Sequence, residues 1–247
     1  MTANFLLHAL LGLLPVCFFL ATLVYLDSYR LVPLKRVIGT IVLGCGAAVA
    51  SYPLNLFGLE WLNIDFTLYT RYVAPVIEET LKALVIWALM RNNRIGFLID
   101  AAIFGFAVGA GFAIFENMYY LTIQPDTKIG TWIVRGFGTA MMHGGATAIF
   151  AVIAHTMFGQ YPTLGRLALL PGLLIATITH SVFNHFFFAP IVNTALVLAI
   201  LPLLFTVIFD RSNEALSDWL DTGFDADTEL LELINSGEFS TSKIGLY

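Results

Sequence analysis

The sequence predicts an all-α membrane protein, a polytopic helical bundle of about seven transmembrane helices followed by a short acidic tail. Of its 247 residues, 58% are hydrophobic and only 12% are charged, whereas soluble globular domains are typically about 45–50% apolar and about 25% charged. The apolar residues form stretches of roughly 20, the length that a helix needs to cross a bilayer. A net charge of −5 without a basic run disfavours nucleic acid as a partner.

Seven apolar stretches follow one another, and each is predicted to be one helical span. The first has no Lys or Arg before Arg30 and too long an apolar run for a signal-peptide core, so we interpret it as an uncleaved span. The last two are separated only by the break at Ala189–Pro190. The predicted spans are residues 4–26, 37–57, 70–90, 95–123, 131–158, 167–188 and 191–209.

The fourth and fifth spans are rich in glycine, which allows membrane helices to approach each other closely. Tight packing alone explains these residues, but it would also bring the polar residues of the two helices together. The glycines are Gly105, Gly109 and Gly111 in the fourth span and Gly136, Gly138, Gly144 and Gly145 in the fifth.

Composition divides the chain into a transmembrane domain, residues 1–209, and an acidic tail, residues 210–247. The tail holds nine acidic and two basic residues, whereas the preceding part holds eight acidic and ten basic residues. Spaced apolar residues between positions 216 and 234 predict one or two short amphipathic helices. These helices would dock on the body or on a partner; a purely solubilising tail is the alternative.

The distribution of basic residues predicts the orientation, because Lys and Arg are enriched in cytoplasmic loops. Seven follow the odd-numbered spans, and three lie in the opposite loops. This bias predicts a multi-pass protein of the cell membrane with its N-terminus outside and its tail in the cytoplasm. The seven are Arg30, Lys35, Arg36, Arg91, Arg94, Arg166 and Arg211, and the three are Arg71, Lys128 and Arg135.

Ionisable residues inside the spans are the main functional candidates, because a charge at the centre of a spanning helix costs roughly 2.5–3.5 kcal/mol on insertion scales. At 1.5 Å per residue, two carboxylates and two imidazoles lie roughly 10–18 Å below the external surface. These four are Glu79, Glu116, His143 and His180, on four different spans; Glu78 and Lys82 lie beside Glu79 in the third span.

Two carboxylates and two imidazoles at one depth suit a Zn²⁺ site with three protein ligands and a water, where a further carboxylate acts as general base. The sequence contains no HExxH motif, so separate helices would assemble such a site. Two alternatives remain open. One is a structural polar network, and the other is an ion- or proton-coupled transporter, since carriers also place Glu, His and Lys at mid-depth.

The motifs around these residues resemble those of a known family. Glu78 to Lys82 reads Glu-Glu-x-x-Lys, and Phe112 to Asn117 contains Phe-x-x-x-Glu followed by Asn. His143 stands alone in the next helix, and His180 to Asn184 reads His-x-x-x-Asn. In this order on successive helices, the set resembles the PrsW family of intramembrane proteases, distant relatives of the CaaX prenyl-protein endopeptidases. The motif-bearing core covers about residues 71–188.

The resemblance implies an endopeptidase that cleaves a membrane-anchored protein near the external face. In the best-known members the substrate is a single-span anti-sigma factor, and the cut is the first of a proteolytic cascade. A single-span membrane protein and membrane lipid are therefore the expected partners. Glu116 replaces a His of the CaaX motifs and Lys82 replaces an Arg, which argues against a prenylated substrate.

The expected site combines a metal with buried acids. We expect Zn²⁺ to be bound by Glu116, His143 and His180, with Glu78 or Glu79 as the general base. Lys82, three residues from Glu79, is the expected counter-ion of that carboxylate. Asn184, one turn from His180, is expected to donate a hydrogen bond to His180 or to the oxyanion. The open alternative is a metal-free site in which Glu78 activates water and His180 with Asn184 forms the oxyanion hole.

Overall fold

The computed structural model describes residues 3–27 and 31–235, and every regular element within these ranges is a helix. The predicted all-α membrane fold is therefore confirmed. Arg30, which contributed to the predicted orientation, and tail residues 236–247 lie outside the described residues. The chain divides into two compact units, Met1–Ile208 and Phe209–Tyr247.

Nine α-helices make up most of the described chain, with two π-helical segments and one 3₁₀ helix inserted between them. Each of these three insertions leads directly into a longer α-helix. The α-helices are α1 (Ala3–Leu26), α2 (Leu34–Leu62), α3 (Phe66–Leu68), α4 (Ala74–Arg91), α5 (Leu98–Ile123), α6 (Ile129–Ile133), α7 (Ala140–Gln160), α8 (Leu170–His185) and α9 (Pro190–Asn235). The π segments are Tyr69–Val73 and Val134–Thr139, and the 3₁₀ helix is Pro162–Leu169.

Six helical stretches of the described chain are long and apolar enough to span a membrane. They correspond to six of the seven predicted spans. The seventh, residues 70–90, is the continuous helical run formed by α3, the first π segment and α4. This run carries Arg71, Glu78, Glu79 and Lys82, so its composition is too charged for a typical span. The helix with the most intramembrane charge is thus the one that carries the Glu-Glu-x-x-Lys motif.

The last helix differs from the prediction for the tail. One or two short amphipathic helices were expected after residue 209, but α9 runs without interruption from Pro190 to Asn235. Its first part, up to Ile208, belongs to the first unit, and the remainder belongs to the second. The predicted break before this helix is present, because α8 ends at His185 and α9 begins at Pro190.

The centre of the first unit is α5, which packs mainly against α7 and α2. Its residues from Ile99 to Ala113 are all buried, as expected for a helix that is apolar on every side. Small residues allow α5 and α7 to approach each other closely. An added Cβ on Gly109 would lie 2.7 Å from the Gly144 Cα on α7, and one on Gly105 would lie 2.7 Å from the Ala148 Cα.

Replacing Gly109 with alanine is expected to destabilise the protein, because the new methyl group would overlap the His143 backbone of α7. Overpacking of this kind typically costs about 1–3 kcal/mol. Gly46→Ala is the matched control, since nothing lies within 4 Å of an added Cβ there. Thermal unfolding of the detergent-purified variants measures both effects. Equal melting temperatures for Gly109→Ala and the wild type would contradict this packing.

Asp65 is the N-cap of α3, the first element of the helical run that leads into α4. The backbone N–H groups of Leu68 and Thr67 donate to Asp65 Oδ1 at 3.2 and 2.8 Å. These two donors lower the pKa of Asp65, because they stabilise its charged form. An acidic cap therefore fixes the start of the helical run that carries Glu78 and Glu79.

Candidate active site

Four helices bring the predicted polar residues together at one place in the bundle. Glu79 and Lys82 come from α4, His143 from α7 and His180 from α8, and each is at most 3% exposed. Glu116 of α5 lies against His143. Because buried charges are stable only when they are paired, the contacts among these side chains define what each can do.

Glu79 lies at the centre of the cluster. Its Oε1 accepts a hydrogen bond from Lys82 Nζ at 2.5 Å and another from His180 Nδ1 at 2.8 Å. The expected Glu79–Lys82 pair is therefore present in the structure. A carboxylate that binds one ring nitrogen of a histidine fixes its tautomer and leaves the other nitrogen, here Nε2, as a ligand or acceptor.

Lys82 also contacts His143, with 3.0 Å between Lys82 Nζ and His143 Nδ1. An ammonium group has only donors, so Nδ1 is the acceptor and the ring proton of a neutral His143 is on Nε2. That nitrogen lies 3.2 Å from Glu116 Oε2 and donates to it. Lys82 thus links two of the candidate carboxylates, Glu79 directly and Glu116 through the imidazole.

Glu116 has a second partner that sequence reasoning did not identify. Arg135, at the second π segment, places Nη2 3.2 Å from Glu116 Oε1 and donates from Nε to Asn117 Oδ1 at 2.9 Å. Its guanidinium group also lies 3.8 Å from the centre of the Tyr120 ring. In the sequence, Arg135 is indistinguishable from a loop charge, because an Arg near a predicted helix end is usually interfacial.

Glu78 is less buried than Glu79 and points to the other side of the cluster. Its Oε2 lies 3.9 Å from His180 Nε2, and its Oε1 accepts a hydrogen bond from Asn55 Nδ2 at 3.0 Å. The two adjacent glutamates therefore contact opposite nitrogens of the same imidazole, Glu79 at Nδ1 and Glu78 at Nε2.

One group of side chains in the described part of the chain has the spacing of a metal site. Ligand atoms of Glu78, His143 and His180 all lie within 4.8 Å of one another. The sequence predicted Glu116 as the carboxylate ligand with the same two histidines. In the structure, Glu116 contacts His143 at Nε2 but is not part of this group.

Asn184 contacts the backbone rather than the buried polar cluster. At the end of the π segment before α4, the Ala74 N–H donates to the Tyr69 carbonyl, five residues earlier in the chain. The next carbonyl, that of Thr70, would pair in the same way with the N–H of Pro75, which proline lacks. Asn184 Nδ2 donates to this Thr70 oxygen at 2.9 Å. Asn184 thus holds α8 against the start of α4, whereas a contact with His180 or with an oxyanion was expected.

A cavity of about 370 Å³ opens beside the cluster, between α2, the start of α4 and α5. Glu78 and Glu116 are the acidic residues of its wall, and its other non-aromatic polar residues are Ser51, Asn55, Thr70 and Gln124. Seven aromatic residues line it, so most of its surface is apolar: Tyr52, Phe66, Tyr69, Phe112, Phe115, Tyr119 and Tyr120.

Comparison with known proteins gives one finding. The profile described as PrsW family intramembrane metalloprotease matches residues 32–209, which is most of the chain and includes every residue of the cluster. No significant match exists among curated proteins or solved structures.

Proposed function

Because the chain belongs to the PrsW family of intramembrane metalloproteases, we propose that it cleaves a membrane-anchored protein near the extracytoplasmic face. Membership makes it a multi-pass membrane protein and a peptide hydrolase. The observation that carries the finer proposal is the position of Glu78 and Glu116 in the wall of an apolar cavity, directly beside His143 and His180.

The donor set of the cluster fits a metal ion. A carboxylate and two imidazoles are ligands that Zn²⁺ prefers, and three protein ligands are typical of a catalytic zinc. Their spacing supports Glu78, His143 and His180 as the ligands, with Glu78 taking the place that the sequence analysis gave to Glu116. When bound, Zn²⁺ would supply a Lewis acid and lower the pKa of a water ligand to about 7.

The remaining residues have supporting roles in this proposal. Glu79 holds His180 through Nδ1, so that Nε2 faces the cavity side. Lys82 neutralises Glu79 at a depth where an unpaired carboxylate would be costly. His143 Nδ1 accepts from Lys82, so the metal would bind at Nε2, and this nitrogen must first give up its proton. Glu116, 3.2 Å from His143 Nε2, is placed to accept that proton. Since Glu116 also borders the cavity, we propose it as the general base.

The apolar lining of the cavity is an argument for a membrane-embedded substrate. Its aromatic lining would bind apolar side chains of a peptide segment, and a segment must lose its helical hydrogen bonds before a peptide bond can reach Glu78. We propose a single-span membrane protein as the substrate, with an anti-sigma factor as the specific candidate that the family suggests. The transporter alternative finds no support in the family assignment.

Cleavage of a panel of tagged single-span membrane proteins, reconstituted with the purified protein in liposomes, tests this proposal. We expect a cut near the extracytoplasmic end of at least one span. A zinc chelator should abolish it, and added Zn²⁺ should restore it.

Elemental analysis of the wild type, His143→Ala and His180→Ala provides the second measurement. We expect close to one zinc per chain in the wild type and little in either variant. Full activity in protein that contains far less than one transition-metal ion per chain would contradict the zinc mechanism and favour the metal-free alternative. Intact substrates throughout the panel would contradict the proposed substrate class.

A further inference from the structure

Helix α2 contributes a polar side chain to the catalytic cluster, although it lies outside the four motif-bearing helices. Asn55, near its end, donates from Nδ2 to Glu78 Oε1 at 3.0 Å. This is the only side-chain hydrogen bond of Glu78 in the described part of the chain. Both residues line the same cavity.

A second residue fixes the orientation of the Asn55 amide. The Tyr69 hydroxyl donates to Asn55 Oδ1 at 3.2 Å. Because an amide has a donor end and an acceptor end, this contact directs the NH₂ group toward Glu78. The three side chains therefore form one chain of hydrogen bonds, from Tyr69 through Asn55 to Glu78.

Tyr69 is itself enclosed by neighbouring residues. It is 2% exposed and belongs to the π segment that leads into α4. Its hydroxyl fills space left by Gly58 on α2, where an added Cβ would lie only 2.5 Å from the hydroxyl oxygen. A glycine at position 58 thus permits the approach of Tyr69 to Asn55.

We infer that Asn55, oriented by Tyr69, is a positioning residue that fixes the carboxylate of Glu78 in the active site. Asn55 occupies Oε1, so Oε2 is the oxygen that faces His180 Nε2 at 3.9 Å. The inference rests on the proposed function, in which Glu78 binds Zn²⁺. It extends the active site from the motif-bearing helices to α2.

We expect the loss of Asn55 to weaken metal binding strongly without abolishing it. Removing a hydrogen-bond partner of a metal ligand typically lowers metal affinity 10–100-fold, whereas removing the ligand itself abolishes the site. We therefore expect Asn55→Leu to weaken Zn²⁺ binding 10–100-fold and Tyr69→Phe to weaken it by a smaller factor. Because Tyr69 acts through Asn55, adding Tyr69→Phe to Asn55→Leu should cause no further loss.

Competition between the purified protein and a fluorescent zinc chelator measures these affinities. Asn92→Leu is the matched control for Asn55→Leu, because the Asn92 side chain donates to the Ala88 carbonyl of its own helix and has no other side-chain hydrogen bond among the described residues. Tyr161→Phe is the control for Tyr69→Phe, since Tyr161 is 51% exposed. Melting temperatures are recorded with excess chelator, so that loss of fold is measured separately from loss of metal.

The outcomes separate the inference from the proposed function. Wild-type affinity in Asn55→Leu, with reduced affinity in Glu78→Ala, would overturn the role of Asn55 and leave the metal site intact. Wild-type affinity in both variants would overturn the proposed ligand set as well. Additive effects of Asn55→Leu and Tyr69→Phe on zinc affinity would overturn the inference, because Tyr69 would then not act through Asn55. Losses of zinc affinity that only parallel losses of melting temperature would also overturn it, because both residues would then contribute to packing alone.

Discussion

Replacing Glu78 with glutamine is expected to lower the rate of substrate cleavage by roughly 10²–10⁴-fold or more, while the protein remains folded and inserted. That range is typical of a lost general base, which is the role of Glu78 in the metal-free alternative, and the loss of a metal ligand should cost at least as much. Glu78 borders the cavity, and its nearest basic atom is His180 Nε2 at 3.9 Å. Within residues 3–27 and 31–235, Glu78 thus has no close ion pair whose loss would destabilise the bundle. Glutamine keeps the size of the side chain but removes the charge that a metal or a reacting water requires.

The measurement is the cleavage rate of a tagged single-span substrate in liposomes, with the melting temperature recorded in parallel. Glu60→Gln is the matched control, because Glu60 is an exposed carboxylate at the end of α2. A wild-type rate in well-folded Glu78→Gln protein would exclude Glu78 from catalysis. The expected loss applies both to the zinc mechanism and to the metal-free alternative, so this variant tests the site rather than the choice between them.

The positions of the helices and of the cluster could be predicted from the sequence for a simple physical reason. A bilayer forces each span to about 20 apolar residues, and it makes every buried charge expensive. Counting residues from the helix ends then placed Glu79, Glu116, His143 and His180 in one layer. In the structure, Glu79 contacts His180 and Glu116 contacts His143.

The contacts of single side chains could not be predicted in the same way. The hydropathy pattern does not reveal the π segment before α4, so the free Thr70 carbonyl and its bond to Asn184 were missed. Asn55 and Arg135 lie near helix ends, where polar residues are ordinary and cost little. Only the packing of α2 and of the second π segment against the cluster brings these two side chains to Glu78 and Glu116.

The identity of the carboxylate ligand could not be predicted from the sequence for the same reason. Depth along the membrane normal is equal for several acids, and it does not specify which way each side chain points. Glu78 and Glu79 are adjacent in sequence, so their side chains diverge by about 100° around the helix. Glu79 accordingly contacts Lys82, while Glu78 contacts Asn55 and groups with His143 and His180.

Replacing Lys82 with methionine is expected to destabilise the protein by about 3–5 kcal/mol, the cost of breaking a buried ion pair from one side. The Lys82 side chain is 0% exposed and Glu79 is 1% exposed, so water cannot replace the lost partner. Cleavage should fall as well, because Glu79 holds His180. Lys82→Arg keeps the charge and should be partly tolerated, and Lys35→Met, at an exposed site, should have little effect.

The double variant Glu79→Gln/Lys82→Met separates stability from catalysis. It removes both buried charges, so we expect it to be more stable than Lys82→Met alone, with a strongly non-additive cycle. Cleavage should remain low, because glutamine holds His180 Nδ1 without the charge that Glu79 provides. Melting temperatures and cleavage rates of the four proteins give both cycles. Additive melting temperatures, or full cleavage by the double variant, would show that the Glu79–Lys82 pair does not hold His180 for reaction.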